Sequence, residues 1–203
     1  CWTMKIFFAT ILAAVLLSGC VSDVLPVPDK SYVPDITLQE LAEKMVSSVD
    51  PNGIYRKSTS YFMKQDIKMD GRTVTIDLTF KIPDKFDTAI FIDGERVQRT
   101  ACDGNKCWSY NEKNKKSELT GKDFDRLKLL YALSSPKGTI LDVFGKVEFA
   151  GEAKVYDAQC YIIFCYPKSE ELEPLVLYVG KADFLTRKLI TLKNGKPYIA
   201  MIR

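Results

Sequence analysis

The clearest pattern in the chain is strict alternation. Val74, Ile76, Leu78, Phe80 and Ile82 alternate with Thr73, Thr75, Asp77, Thr79 and Lys81, which predicts a strand with one buried and one wet face. Tyr61, Met63, Ile67 and Met69 predict a strand before it, ending at the hairpin signal Asp70-Gly71. Strands over 86–93, 97–102 and 107–110 follow, separated by Asp93-Gly94 and by Asp103-Gly104-Asn105-Lys106. Further along, Val147, Phe149, Ala153 and Val155 alternate with Lys and Glu, and 159–166 is an almost continuous apolar run. Strands over 175–179, 188–193 and 198–203 complete the set, with turns near Asp183 and at Asn194-Gly195.

Two segments have helical spacing instead. Leu38, Leu41, Ala42, Met45, Val46 and Val49 share one face, opened by a Thr37/Glu40 capping box and stopped by Asp50-Pro51-Asn52-Gly53. Phe124, Leu127, Leu130, Tyr131 and Leu133 give a second apolar face, with Thr120 and Asp123 as its cap and Pro136 and Gly138 closing it. Many antiparallel strands joined by short turns, with a few helices, predict an α+β fold built on a strongly curved sheet.

The N-terminus reads differently from the rest. The apolar run from Ile6 to Leu17 follows Lys5 and is shorter than the roughly 20 residues that cross a bilayer. With the small residues Ser18-Gly19 it predicts a secretory signal peptide, with Met4 as the start and residues 1–3 as an upstream extension. Leu17-Ser18-Gly19-Cys20 resembles the bacterial lipobox, whose cysteine is acylated and becomes the mature N-terminus. Thioether formation to diacylglycerol needs a sulfur nucleophile, and more than one acyl chain of the palmitate type gives a stable anchor. The plainer alternative is an ordinary signal peptide with a cysteine beside its cleavage site.

The expected organisation is therefore a removed signal peptide at 1–19, a lipidated extended tether at 20–34 containing Pro26, Pro28 and Pro34, and one domain at 35–203. Val21 and Ser22, with no Asp beside Cys20, permit outer-membrane sorting by analogy with enteric bacteria, facing the periplasm.

Composition narrows the chemistry. A hydrophobic content of 46% with 27% charged residues fits a folded globular chain. A net charge of +3 with both signs interspersed gives no support to nucleic-acid binding. Histidine is absent, which removes Ser-His-Asp and Cys-His catalysis and histidine metal sites. Glu112 and the Glu170-Glu171 pair sit in polar loops where a solvated surface is the default, so neither an enzyme nor a cofactor is expected.

The order of elements resembles the LolA-like lipoprotein-sorting proteins and their lipid-anchored relative LolB. The matching features are the opening helix over 38–49, the run of hairpins, and Asp103, Gly104, Trp108 and Tyr110 in an Asp-Gly-x-x-x-Trp-x-Tyr segment. A helix excursion, a late strand running into Pro167 and a final pair of strands follow. The resemblance implies an incomplete antiparallel β-barrel covered by helices, with an apolar cavity for acyl chains of lipids or lipoproteins. It also implies a partner lipoprotein or carrier. No arginine among Arg56, Arg72, Arg96 and Arg99 is marked by its surroundings as the carrier's latch.

Phe80, Phe91, Trp108, Tyr110, Phe149 and Phe164 are the candidate lining of that cavity, and core packing is the alternative for each. A structural envelope lipoprotein without transfer activity is the competing function. So is a sensing one, similar to the lipid-sensing regulators of the sigma-factor stress pathway.

The cysteines other than Cys1 and Cys20 form two C-x₄-C pairs. If Gly104-Asn105 make a two-residue loop, Cys102 and Cys107 face each other at a non-hydrogen-bonded position, with Cα atoms about 4.5 Å apart. A disulfide is expected there. Cys160 and Cys165 fall on opposite faces of a continuous strand, so they pair only if the strand breaks between them or with other partners; the plainer reading is that both are small buried hydrophobes. A four-cysteine zinc site is the sharper alternative.

Overall fold

A computed structural model describes residues 25–203 apart from 70, 111, 112, 114, 135–137 and 203, with the backbone alone at 67–69, 134, 193 and 198–202. The predicted signal peptide, Cys20 and Glu112 lie outside the described residues. The elements run α1 (Leu38–Val49), α2 (Ile54–Lys57), β1 (Ser60–Met69), β2 (Arg72–Lys81), β3 (Lys85–Ile92), β4 (Glu95–Asp103), β5 (Cys107–Tyr110) and β6 (Lys116–Leu119). Then come α3 (Gly121–Ser134), α4 (Ile140–Val143), β7 (Lys146–Val155), β8 (Ala158–Tyr166), β9 (Leu175–Gly180), β10 (Thr186–Lys193) and β11 (Lys196–Ile202). Among the described residues no helix is long and apolar enough to cross a membrane.

The strands pair into two antiparallel meanders. One has six strands in the order β1-β2-β3-β4-β5-β6, the other five in the order β11-β10-β9-β8-β7. Where the strand pattern led to the expectation of one strongly curved sheet, α3 and α4 intervene between β6 and β7, and no ladder joins those strands. The described strands close no barrel. The chain divides accordingly into two compact units, one centred on Tyr55–Lys137 and one on Gly138–Arg203 together with α1.

In the first unit, the alternation of β2 becomes burial: Val74, Ile76, Leu78 and Phe80 point inward. Register sets Phe80 beside Phe86, Leu78 beside Thr88 and Ile76 beside Ile90, so β3 extends the same apolar face. Helix α3 lays Tyr131 on it, with Phe124 and Leu127 alongside. The Tyr131 ring stacks on both Phe86 and Phe80. Its hydroxyl shares a hydrogen bond with the buried Thr88 hydroxyl.

The β4–β5 hairpin is tightened from inside its loop. The Asp103 carboxylate accepts from the backbone N–H of Asn105 (2.9 Å) and of Lys106 (2.8 Å), while the Asp103 N–H donates to the Lys106 carbonyl (3.0 Å). Cys102 and Cys107 are thereby register partners, 4.1 Å apart at Cα, and joined as a disulfide.

In the second unit, α1 starts at the expected capping box. The Glu40 N–H donates to Thr37 Oγ1 (3.2 Å) and the Thr37 N–H to Glu40 Oε2 (3.0 Å). Leu41, Ala42 and Met45 are its buried face, and it packs on β7 and α4. The apolar run over 159–166 is one unbroken strand, β8, buried on both faces, and β9 beside it is buried along its whole length. Antiparallel sheets commonly keep one face wet. This one has two dry faces in its middle strands.

Candidate functional site

The six aromatic candidates are distributed between the two units. Phe80, 1% exposed, stacks at 5.2 Å on Tyr61 and belongs to the cluster under Tyr131. Phe91, Trp108 and Tyr110 occupy alternate register positions to that cluster, on the other face of the six-stranded sheet, where all three are half-buried. Trp108 lies under the Lys116 ammonium at 4.2 Å, and Tyr110 under the Arg99 guanidinium at 5.2 Å. The same guanidinium forks onto Asp87, with Nε 2.9 Å from Oδ1 and 3.1 Å from Oδ2. The structure thus distinguishes Arg99, which sequence spacing does not, because its partner Asp87 sits on the neighbouring strand.

In the second unit, Phe149 and Phe164 fall on opposite faces of the five-stranded sheet. Phe149 is register partner to Ile163, one residue out of phase with Phe164. On the Phe149 side the rings form a row: Tyr32 lies 6.3 Å from Phe149 and Phe149 lies 5.6 Å from Tyr161. Phe164, 5% exposed, belongs to a contiguous apolar cluster on the other side with Cys160, Ile162, Val176, Tyr178, Ile190 and Leu192, edged by Leu25 and Tyr166. Residues 160, 162 and 164 span about 13 Å along the strand, and β7 to β10 span about 14 Å across the ladder. Apart from Phe164 and Cys160, sequence reading did not single out these residues. For those on β8 the signal was the run over 159–166, which is apolar at both odd and even positions.

The two buried thiols sit on opposite faces of β8, and neither is bonded to the other. Burial raises the Cys160 thiol and pushes Cys165 up to about 12, so both stay protonated and behave as small hydrophobes. The four-cysteine zinc alternative fails on geometry: Cys102 and Cys107 bond each other, and Cys160 and Cys165 point apart. Among the described residues no group of three potential ligands comes together.

One charged network stands out, on the Phe149 side of the same sheet. Lys181 Nζ lies 2.7 Å from Glu152 and 3.0 Å from Asp35. Tyr32 Oη donates to Glu152 (2.6 Å) and Tyr161 Oη to Asp35 (2.7 Å). The Lys181 ammonium and the Tyr32 hydroxyl hold the Glu152 carboxyl below the usual carboxylate range, and Tyr161 and Lys181 do the same for Asp35. Burial first, then the Asp35 carboxylate, pushes the Tyr161 phenol up to about 12.

No family model matches the sequence, and no curated protein matches it either. Solved structures do. The LolA superfamily protein NE2245 from Nitrosomonas europaea is 12% identical, with a TM-score of 0.47 over 80% of this chain and 74% of that one. A domain from Vibrio parahaemolyticus assigned to outer-membrane lipoprotein sorting is 12% identical, with a TM-score of 0.42 over 77% of this chain and 75% of that one. A DUF1329 family protein from Desulfovibrio piger is 13% identical, with a TM-score of 0.44 over 77% of this chain and 74% of that one. The structural neighbours of the chain therefore include LolA-like proteins. What its site does has to come from its own side chains.

Proposed function

We infer that this is an envelope lipoprotein, anchored through Cys20, that holds an acyl chain of a lipid or lipoprotein against the Phe164 face of the five-stranded sheet. On this reading it serves lipoprotein sorting or lipid transfer from the periplasmic side of the outer membrane. The observation that carries it is the second dry face. Helix α1 packs on β7, and the rings of Phe149 and Tyr161 carry one side of the sheet. The other side bears nine buried apolar or thiol side chains, Phe164 among them, with the Lys188 ammonium 5.4 Å from the Tyr178 ring centre. An acyl segment of eight methylenes laid there gains about 6 kcal/mol at about 0.8 kcal/mol per CH₂. The sequence resemblance to LolA-like and LolB-like proteins supports the same reading.

The competing reading is a structural or sensing envelope lipoprotein whose core is simply filled. What favours it is that Cys160, Val176 and Ile190 are each fully buried. Photo-crosslinking separates the two. Full-length protein in bacterial envelopes is exposed to a diazirine-bearing palmitate, irradiated, and its crosslinked peptides are mapped. Adducts concentrated on Ile162, Phe164, Val176 and Tyr178, and lost when unmodified palmitate is added, support acyl binding. Absence of adducts from β8–β10, with the N-terminal peptide carrying the mass of an acylated Cys20, leaves a structural lipoprotein.

A further inference from the structure

The described part of the segment read from sequence as an extended tether touches the sheet at separate points, while Val27 and Val33 stay 85% exposed. Leu25 packs against the apolar cluster on the Phe164 face. The Asp29 N–H donates to the Ala150 carbonyl (2.9 Å) at the bulge of β7, which is an edge strand. Tyr32 and Asp35 then join Glu152, Tyr161 and Lys181 on the opposite face. Residues 25–35 therefore cross the edge of the sheet from one face to the other.

Its fastenings are weak individually. One backbone hydrogen bond joins it to β7, and the Asp35 side chain is 63% exposed where it meets Lys181. Ion pairs this exposed hold by small factors and reopen readily. Lys181 is the hub, since it pairs with both Asp35 and Glu152.

We propose that residues 25–35 form a releasable strap, whose Leu25 competes in cis with an acyl chain for the Phe164 face. The competition rests on the acyl-binding reading above; the strap does not. Closed, the strap places Leu25 on the apolar cluster and ties residues 25–35 to the sheet. Released, it frees that part of the face and lets the tether extend. Uptake of a ligand and freedom of the anchor become one equilibrium, and Lys181 sets its position.

Two readouts on full-length protein in envelopes test this. The first is tryptic cleavage after Lys30, which lies in an exposed turn closed by Asp29 and Ser31. The second is the crosslinking yield of diazirine palmitate on β8–β10. Lys181→Met removes both ion pairs and keeps the stem, so cleavage at Lys30 accelerates about 2–5-fold and the yield rises with it. Leu25→Ala raises the yield without removing any ion pair. Unchanged cleavage in K181M, with circular dichroism showing a folded protein, overturns the strap. Faster cleavage with an unchanged or lower yield, where the unaltered protein does crosslink, overturns the competition. Faster cleavage with no crosslink in any protein overturns acyl binding and the competition together, and leaves the strap standing.

Discussion

Replacing Tyr131 by Phe removes one oxygen and keeps the ring that stacks on Phe86 and Phe80. The lost atom is the hydrogen-bond partner of Thr88 Oγ1, and the two residues are 2% and 5% exposed. Water has no access to the stranded hydroxyl, so its desolvation is uncompensated and costs about 1–3 kcal/mol. Thr88→Val mirrors this by stranding the phenol. The double variant removes both polar groups and leaves an apolar contact of nearly the same shape, which is close to neutral. Urea unfolding of the four proteins closes a double-mutant cycle. With a slope of about 2 kcal/mol per molar, each single variant moves the midpoint down by about 0.5–1.5 M. The double variant returns most of the way, giving a coupling of about 1 kcal/mol or more. Two results refute the reasoning: Y131F indistinguishable from the parent, or a double variant whose cost is the sum of the singles.

Three further outcomes follow from the same structure. Reducing the disulfide between Cys102 and Cys107, which are five residues apart, releases a short loop; loop-closure entropy puts the loss near 2 kcal/mol, read as a fall in thermal midpoint of about 4–8 °C, and no fall means the hairpin is closed by Asp103 alone. Cys165, pushed up to about 12, is thiolate to about one part in ten thousand at pH 8, so iodoacetamide labels it and Cys160 only after unfolding, and a peptide map showing either of the two labelled in the native protein contradicts their burial. Asp35 and Glu152 are both held below the usual carboxylate range in the folded protein, so their contribution is fully present above about pH 5 and disappears as pH falls through the lowered values. Hydrogen exchange at the Asp29 amide, corrected for its intrinsic rate, stays slow from neutral pH to that point and accelerates below it; acceleration already between pH 7 and 5 disproves the carboxylate clasp.

Local rules carried the hairpins. The alternation at 73–82, the capping box at Thr37 and the Asp103-to-Lys106 loop each depend on residues within a few positions of one another, and each was legible because no distant partner is needed to decide it. Three elements of four residues were not: α2, α4 and β6 are too short for a period to register, and unlike β5 they follow no clear hairpin turn; β6, at Lys116–Leu119, is mostly exposed. The division into two sheets was also hidden, because strand count and turn chemistry are the same for one curved sheet and for two meanders. Only the ladder decides it. For the site, an aromatic side chain announces its size but not its face. Phe149 and Phe164 were equal candidates by composition, and a single bulge at Ala150 with the register of β7 against β8 puts them on opposite sides.

The contacts of residues 25–35 with the sheet were not legible in the sequence. Pro26, Pro28 and Pro34 argue against a helix or an inner strand there, but extended backbone is also what binds an exposed sheet edge. The signals that decide between free and docked were Tyr32 and Asp35, two ordinary residues whose partners Glu152, Tyr161 and Lys181 lie more than a hundred positions away. A truncation starting at Pro34 deletes Leu25, Asp29 and Tyr32, leaving β7 with a bare edge at Ala150 and Glu152 without its phenol donor. Such a protein is expected to self-associate through that edge in a concentration-dependent way, measurable by sedimentation velocity, while the protein retaining residues 25–33 stays monomeric under the same conditions. Equal sedimentation of the two would show that the strap leaves the edge as it finds it, and would remove the structural half of the argument for its docking.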